Sequence, residues 1–149
     1  MHACFDSQFA YSPLIWMFHS RSMNRKINNL HYRALRLVYK DELSTYEDLL
    51  RRDGSVSIHN KNLQLLVIEM YKVDKGLSPT FMKDIFTRNE NAQSDNVSSR
   101  TRSKSTYYNY SNPRTVHFGL ETLRSLGPKL WELVPIKFKD ITSLATFKK

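Results

Sequence analysis

The chain has 149 residues, and its 23 lysines and arginines against 14 aspartates and glutamates give a formal net charge of +9 at pH 7. This excess favours anionic partners, and a hydrophobic content of 40% excludes the compositions that stay disordered throughout. The single cysteine, Cys4, excludes an intramolecular disulfide and zinc sites built on cysteine pairs, and four glycines argue against a loop-rich or β-sandwich protein.

A short helix is predicted to begin at Pro13, because Ser12 precedes it as an N-cap and proline is favoured at the first helical position. Its apolar residues 14–18 surround the helix axis, which predicts packing against protein on several sides. This run is the longest apolar run of the chain and is far shorter than the roughly 20 residues that span a bilayer. We therefore expect no membrane span, no signal peptide and an intracellular location, with nucleus and cytoplasm left open.

Residues 21–40 predict an amphipathic helix with two distinct faces. The apolar face carries Met23, Ile27, Leu30, Ala34, Leu37 and Val38. Another face carries Arg25, Asn29, Arg33, Arg36 and Lys40. The window contains six lysines and arginines and no carboxylate, so no ion pair within the helix neutralises the cationic face.

Residues 41–53 are acidic and predict a turn followed by a short second helix that ends near Asp53-Gly54. Two interpretations of the cationic face stay open at this point. It contacts a nucleic-acid backbone, with Tyr32 and Tyr39 beside it to stack or to form hydrogen bonds, or it is a surface face compensated by the acidic turn.

The next segment predicts a central core helix over residues 57–75, on which Leu63, Leu66, Val67, Met70 and Val73 share a face and which ends before Gly76. Ser78-Pro79 opens a further short helix. Residues 87–106 are polar and basic and predict a flexible linker, in which Arg100, Arg102 and Lys104 either extend a phosphate-binding surface or keep a tether soluble.

The C-terminal part predicts an irregular strand or hairpin over 107–118, a helical segment after Gly127-Pro128 that Pro135 stops, and a terminal helix with Ile141, Leu144 and Phe147. The predicted fold class is therefore mainly α, with a small helical bundle over about 12–86. The predicted domains are a helical bundle at 1–86, a flexible linker at 87–106 and a small α+β segment at 107–149.

The motifs of catalysis are absent from the sequence. The acidic pairs Asp41-Glu42 and Glu47-Asp48 are interpreted as a solvated face, and His31 and His59 as core or boundary histidines. No nucleophile elbow, phosphate-binding loop or dinucleotide-binding turn occurs. We expect no enzyme activity, no cofactor and no metal site.

Four blocks of sequence stand together in one order: SQFAYSPLIWMFHSR at 7–21, NRKINNLHYRALRLVY at 24–39, YEDLLRRDGSVSIHNKNLQLLVIEMYKVDKGLSP at 46–79 and TVHFGLETLRSLGPKLWELVP at 115–135. Together they resemble the region that follows the palm in reverse transcriptases of non-LTR (LINE-like, jockey-type) retrotransposons. The resemblance covers the chain from about residue 5 to residue 149.

The resemblance implies a thumb-like function without catalysis. In such enzymes the palm holds the catalytic metals on a Y-x-D-D hairpin, and the helical region that follows contacts the template and primer. This chain has no Y-x-D-D. The resemblance therefore implies a truncated, non-catalytic fragment of an RNA-directed DNA polymerase, whose partners are an RNA or DNA backbone and a palm absent from this chain.

The resemblance also assigns residues. It places Arg25, Lys26, Arg33 and Arg36 on a thumb helix that contacts the nucleic-acid backbone, and Lys40 joins them from the helical wheel. These five residues are called the candidate cations below. Gly127, Pro128 and Trp131 are expected to fix a turn and fill a pocket. Two alternatives stay open: a fragment that docks on the polymerase palm, through residues such as Trp16, Met17 and Phe18, and a remnant with no cellular function.

Overall fold

The computed structural model describes residues 12–89, 107–109, 114–115 and 122–148. In these ranges the chain is mainly α-helical, as predicted, with eight helices and no strand. The chain divides into two compact units, Met1–Leu65 and Leu66–Lys149.

The first unit contains α1 (Pro13–Trp16), α2 (Arg21–Tyr39), α3 (Tyr46–Asp53) and the beginning of α4 (Ile58–Asp74). Local signals set the ends of α3. The Thr45 hydroxyl accepts a hydrogen bond from the backbone N–H of Asp48, and Gly54 ends the helix with a φ of 66°, a backbone conformation that glycine adopts without steric cost. The predicted end of this helix near Asp53-Gly54 is confirmed.

Helices α2 and α3 pack on each other through aromatic and polar contacts, and each buries one leucine, Leu35 on α2 and Leu49 on α3. The Tyr46 hydroxyl and His31 Nδ1 are hydrogen-bonded at 2.9 Å, and the two rings meet edge to face. The Tyr32 hydroxyl donates to the carbonyl oxygen of Ser44 at 2.8 Å. His31 is 3% exposed, which confirms its interpretation as a core histidine.

The buried face of α2 differs from the predicted apolar face. His31 and Leu35 are its buried residues, whereas Met23, Leu30 and Leu37 are 44%, 52% and 76% exposed. On the helical wheel the buried face is turned by roughly a quarter of a turn from the apolar face. These three residues of the apolar face therefore lie outside the buried face of α2. The hydrogen bonds of Tyr46 and Tyr32 hold the helix in the observed orientation.

The first helix also departs from expectation. Pro13 is its first residue, as predicted, but Ser12 has a left-handed backbone with a φ of 45° and makes no side-chain capping hydrogen bond. Met17 is 5% exposed, and Trp16 and Phe18 are half-buried, so these three residues do not form the exposed docking surface that the sequence suggested. Ile15 is the exposed apolar residue of this helix.

The second unit contains the rest of α4, α5 (Thr80–Ile85), α6 (Leu123–Leu133), α7 (Ile136–Lys139) and α8 (Leu144–Phe147). Helix α4 ends before Gly76, whose φ of 70° confirms the predicted glycine stop. Pro79 occupies the N-cap position of α5, so Ser78 lies one residue too early to cap it. Helix α7 was not predicted, and α8 is one turn that excludes Ile141.

The core of the second unit contains Met70, Tyr71, Val73, Met82, Phe86, Tyr108 and Trp131. Tyr71 stacks on Phe147 with ring centroids 4.3 Å apart, and its hydroxyl donates to the carbonyl oxygen of Ile141 at 2.8 Å. Residues that the sequence interpretation assigned to two different domains, 66–86 and 107–149, thus contribute to one hydrophobic core.

Helix α6 runs through the Gly127-Pro128 pair that was expected to form a turn. Pro128 cannot donate a backbone hydrogen bond, which costs helix stability. Close packing offsets this cost. A Cβ on Gly127 would lie 2.9 Å from the sulfur of Met70, and Pro128 and Trp131 are buried. The expectation that Trp131 fills a pocket is confirmed, whereas the turn is wrong.

The predicted linker and hairpin lie largely outside the described residues. Within the described part, Arg88 and Tyr108 form one isolated antiparallel bridge, with Asn89 N–H donating to Tyr107 O at 3.0 Å and Asn109 N–H donating to Thr87 O at 2.9 Å. Arg100, Arg102 and Lys104 belong to the part of the chain that the structure does not describe.

Candidate nucleic-acid interface

The candidate cations share one side of α2 and its C-cap. The directions of the four helical residues fall within about 100° of arc, and the rise of 1.5 Å per residue separates Arg25 from the C-cap Lys40 by about 22 Å along the axis. Arg25, Lys26, Arg33 and Lys40 are exposed, and Arg36 is half-buried. The structure thus brings together all five residues that the sequence suggested.

Arg36 differs from the other four because it supports the turn after α2. Its Nη2 donates to the carbonyl oxygen of Glu42 at 3.0 Å, and its guanidinium lies 5.5 Å from the centroid of the Tyr32 ring. Its Nε is buried and has no hydrogen-bond partner among the described residues. Arg36 is therefore a positioning residue for the turn as well as a source of charge.

The acidic turn uses its carboxylates for contacts other than with the candidate cations. Asp41 accepts hydrogen bonds from the backbone N–H groups of Leu43 and Ser44 at 3.0 Å and from the Ser44 hydroxyl at 2.7 Å. The hydrogen bonds from Ser44 lower the pKa of Asp41 below its usual value. Arg52 Nη1 lies 3.7 Å from Asp41 Oδ2, the oxygen that also accepts the hydrogen bond from the Ser44 hydroxyl.

Two further carboxylates of this region also contact residues other than the candidate cations. Asp48 lies 3.8 Å from Arg51 on α3, and Asp53 accepts a hydrogen bond from the Tyr39 hydroxyl at 2.7 Å. Among the described residues, no carboxylate lies within 4.0 Å of a charged nitrogen of the candidate cations. Ion pairing between the candidate cations and the acidic turn is therefore not observed in the described structure, although Arg36 donates a hydrogen bond to a backbone carbonyl of that turn.

Two aromatic residues proposed for nucleic-acid contact are used by the fold. The Tyr39 hydroxyl is bonded to Asp53, which raises the pKa of Tyr39, and Arg52 lies 5.0 Å from the centroid of its ring. The Tyr32 hydroxyl is bonded to Ser44. Both hydroxyls therefore have partners within the first unit, and their predicted role as hydrogen-bonding groups for a ligand is not favoured.

An open groove with a volume of about 630 Å³ lies beside the C-terminal half of α2. Arg33, Arg36, Leu37, Lys40 and Glu42 line it. Three cations against one carboxylate give the groove a positive potential, which attracts an anionic group such as a phosphate. Lys40 reaches the groove from a left-handed backbone with a φ of 51°.

In the described part of the chain, the acidic pairs do not combine with other side chains into a metal site. Among the described residues, no group of three or more histidine, cysteine, aspartate or glutamate side chains has the arrangement to hold a metal ion. A search of the same part of the chain finds no helix with the length and hydropathy needed to cross a membrane.

No family model, no curated protein and no solved structure matches the chain.

Proposed function

We propose that this chain is a non-catalytic, thumb-like module of the kind that follows the palm in non-LTR retrotransposon reverse transcriptases, and that α2 binds the backbone of RNA or DNA. The observation that carries the proposal is the set of candidate cations on one side of α2, none of which has an ion pair within the described part of the chain. An unpaired cationic surface binds a polyanion by releasing condensed counterions, and it does so with little dependence on base sequence.

The length of the surface supports this function. Arg25 and Lys40 are separated by about 22 Å, the axial length of about six base pairs at 3.4 Å per phosphate along one strand. Five contacts over that length are compatible with one strand of a duplex. Contacts of this kind position a protein on nucleic acid without identifying the bases.

Lysine footprinting tests where the nucleic acid binds. The chain is treated with a water-soluble acetylating reagent with and without a DNA duplex of about 20 base pairs, and modified lysines are quantified by mass spectrometry. We expect the duplex to protect Lys26 and Lys40, whereas Lys83 and Lys137, which are also exposed, serve as internal controls and stay reactive. Equal protection of all four lysines would indicate nonspecific coating and contradict the proposed interface.

The proposal excludes polymerisation by this chain alone. Primer extension with any template, primer and divalent metal is expected to stay at the level of a heat-inactivated control, because two-metal nucleotidyl transfer requires carboxylates that hold both ions. Extension above that control would contradict a non-catalytic module.

A further inference from the structure

The exposed apolar face of α2 has the spacing of a coiled-coil seam. Met23, Leu30 and Leu37 recur every seven residues, and Ile27 and Ala34 each lie four residues after one of them. In a heptad the first three occupy d positions and the other two occupy a positions. These five residues are called the apolar seam.

The apolar seam is accessible in the structure. Its three d residues are exposed and its two a residues are half-buried. Ordinary amphipathic helices turn such a stripe toward the protein core. In α2 the residues that face the core are His31 and Leu35, so the described part of the chain does not bury the three d residues of the apolar seam.

One side of the apolar seam is uniformly cationic. The g positions of the same heptads are Lys26 and Arg33, and the C-cap residue Lys40 follows at the same seven-residue spacing. These three residues are here called the cationic flank, and none of them has an ion pair among the described residues. The e positions on the other side include buried His31. A helix laid on the seam therefore meets three positive charges along one edge.

We propose that α2 binds an amphipathic helix of a partner protein that carries apolar residues at its own a and d positions and carboxylates at the positions facing the cationic flank. Charge complementarity identifies the partner as acidic, because charges at e and g positions determine which helices pair. This inference goes beyond nucleic-acid binding, since it uses the apolar seam and does not need Arg25 or Arg36.

A second copy of the chain fits the surface poorly. In an antiparallel pair the cationic flank would face the same three cations of the other copy. In a parallel pair it would face the e positions, where His31 is buried. Like charges across such a seam disfavour pairing.

The rest of this chain also lacks a suitable acidic helix. The residues outside the described ranges contain four carboxylates, one in 1–11, two in 90–106 and one at position 121, and an equal number of lysines and arginines. They do not combine apolar heptads with carboxylates. These residues therefore do not supply the acidic helix, which the proposal assigns to the partner protein.

The test uses a fluorescent three-heptad peptide with leucine at a and d and glutamate at e and g, and a matched peptide with lysine in place of glutamate. Fluorescence anisotropy is measured with the whole chain. We expect the acidic peptide to bind and the lysine peptide not to bind. The variant L30A/L37A is expected to weaken binding of the acidic peptide by at least about a hundredfold, because it removes apolar surface that the complex buries.

The cationic flank and the off-seam cations provide the remaining comparisons. K26Q/R33Q/K40Q is expected to weaken peptide binding by about tenfold, in line with three exposed ion pairs. R25Q is expected to leave peptide binding unchanged. The helicity of each variant is checked by circular dichroism, and alanine and glutamine both preserve helix propensity.

Several results would overturn the inference. These are no binding of the acidic peptide, equal binding of the two peptides, or unchanged binding by L30A/L37A. Loss of duplex affinity in L30A/L37A without peptide binding would assign the apolar seam to the nucleic-acid interface and overturn it as well. Failure of the proposed function is distinguishable, because duplex binding would then be absent while the acidic peptide still binds.

Discussion

The salt dependence of duplex binding gives a quantitative test of the candidate cations. If all five neutralise phosphates of B-DNA, the logarithm of affinity should fall against the logarithm of salt concentration with a slope of about 4.5. Raising the salt from about 50 to 200 mM then lowers affinity by about 500-fold. A slope near 3.6 would indicate that Arg36 keeps its contact with Glu42 and leaves four phosphate contacts.

The variant R25Q/R33Q removes two of these contacts without touching the fold. Both side chains are exposed and make no hydrogen bond or ion pair among the described residues, and glutamine has nearly the helix propensity of arginine. The slope should fall to about 2.7, and the same change of salt should lower affinity by only about 40-fold.

The matched control is R124Q/K137Q, which removes the same charge from exposed positions in the second unit. Fluorescence anisotropy with a labelled duplex of about 20 base pairs measures both variants across the salt range. The control should keep the wild-type slope. Equal slopes for the two variants would show that net charge, and not the surface of α2, carries the binding, and would refute the reasoning.

Three further predictions concern stability and can be read from urea unfolding. K40G should raise the urea midpoint, because glycine removes about 1 kcal/mol of left-handed backbone strain at a φ of 51°. The same substitution should lower the salt slope of duplex binding by about 0.9. G127A should lower the urea midpoint by the equivalent of about 1 to 2 kcal/mol, because the added Cβ would lie 2.9 Å from the sulfur of fully buried Met70. A more stable variant would contradict this packing. Burial raises the pKa of Tyr46 from 10.0 to about 12, so the folded state keeps a proton that the unfolded state releases, and stability should fall as the pH rises from 10 to 12. Y46F should lose part of this alkaline decline, and an unchanged pH profile would contradict the assignment.

The sequence predicted helix boundaries best where a local group sets them. Gly54 ends α3 through a left-handed backbone conformation that depends on a few adjacent residues. Gly76 and Pro135 act in the same local way on α4 and α6. Such signals need no knowledge of tertiary contacts, and this explains why they were recognised.

Tertiary contacts decided the features that were missed. The continuous helix through Pro128 depends on the approach of Gly127 to Met70 and Phe86, residues about 40 to 57 positions earlier in the chain. The orientation of α2 depends on hydrogen bonds from His31 and Tyr32 to residues 46 and 44. A hydrophobic pattern indicates which side chains gain free energy from burial, but it does not indicate which other residues bury them.

The orientation of α2 explains how one helix presents both apolar and cationic residues on its accessible side. Its buried contacts include the hydrogen bond between His31 and Tyr46, and the Tyr39 hydroxyl ties its last turn to Asp53. Because these anchors are polar, they do not require Leu30 or Leu37 to turn inward. The apolar seam and the candidate cations consequently lie side by side, and the cationic flank belongs to both. An acidic helix and a nucleic-acid backbone would therefore compete for Lys26, Arg33 and Lys40, while Arg25 would serve the nucleic acid alone.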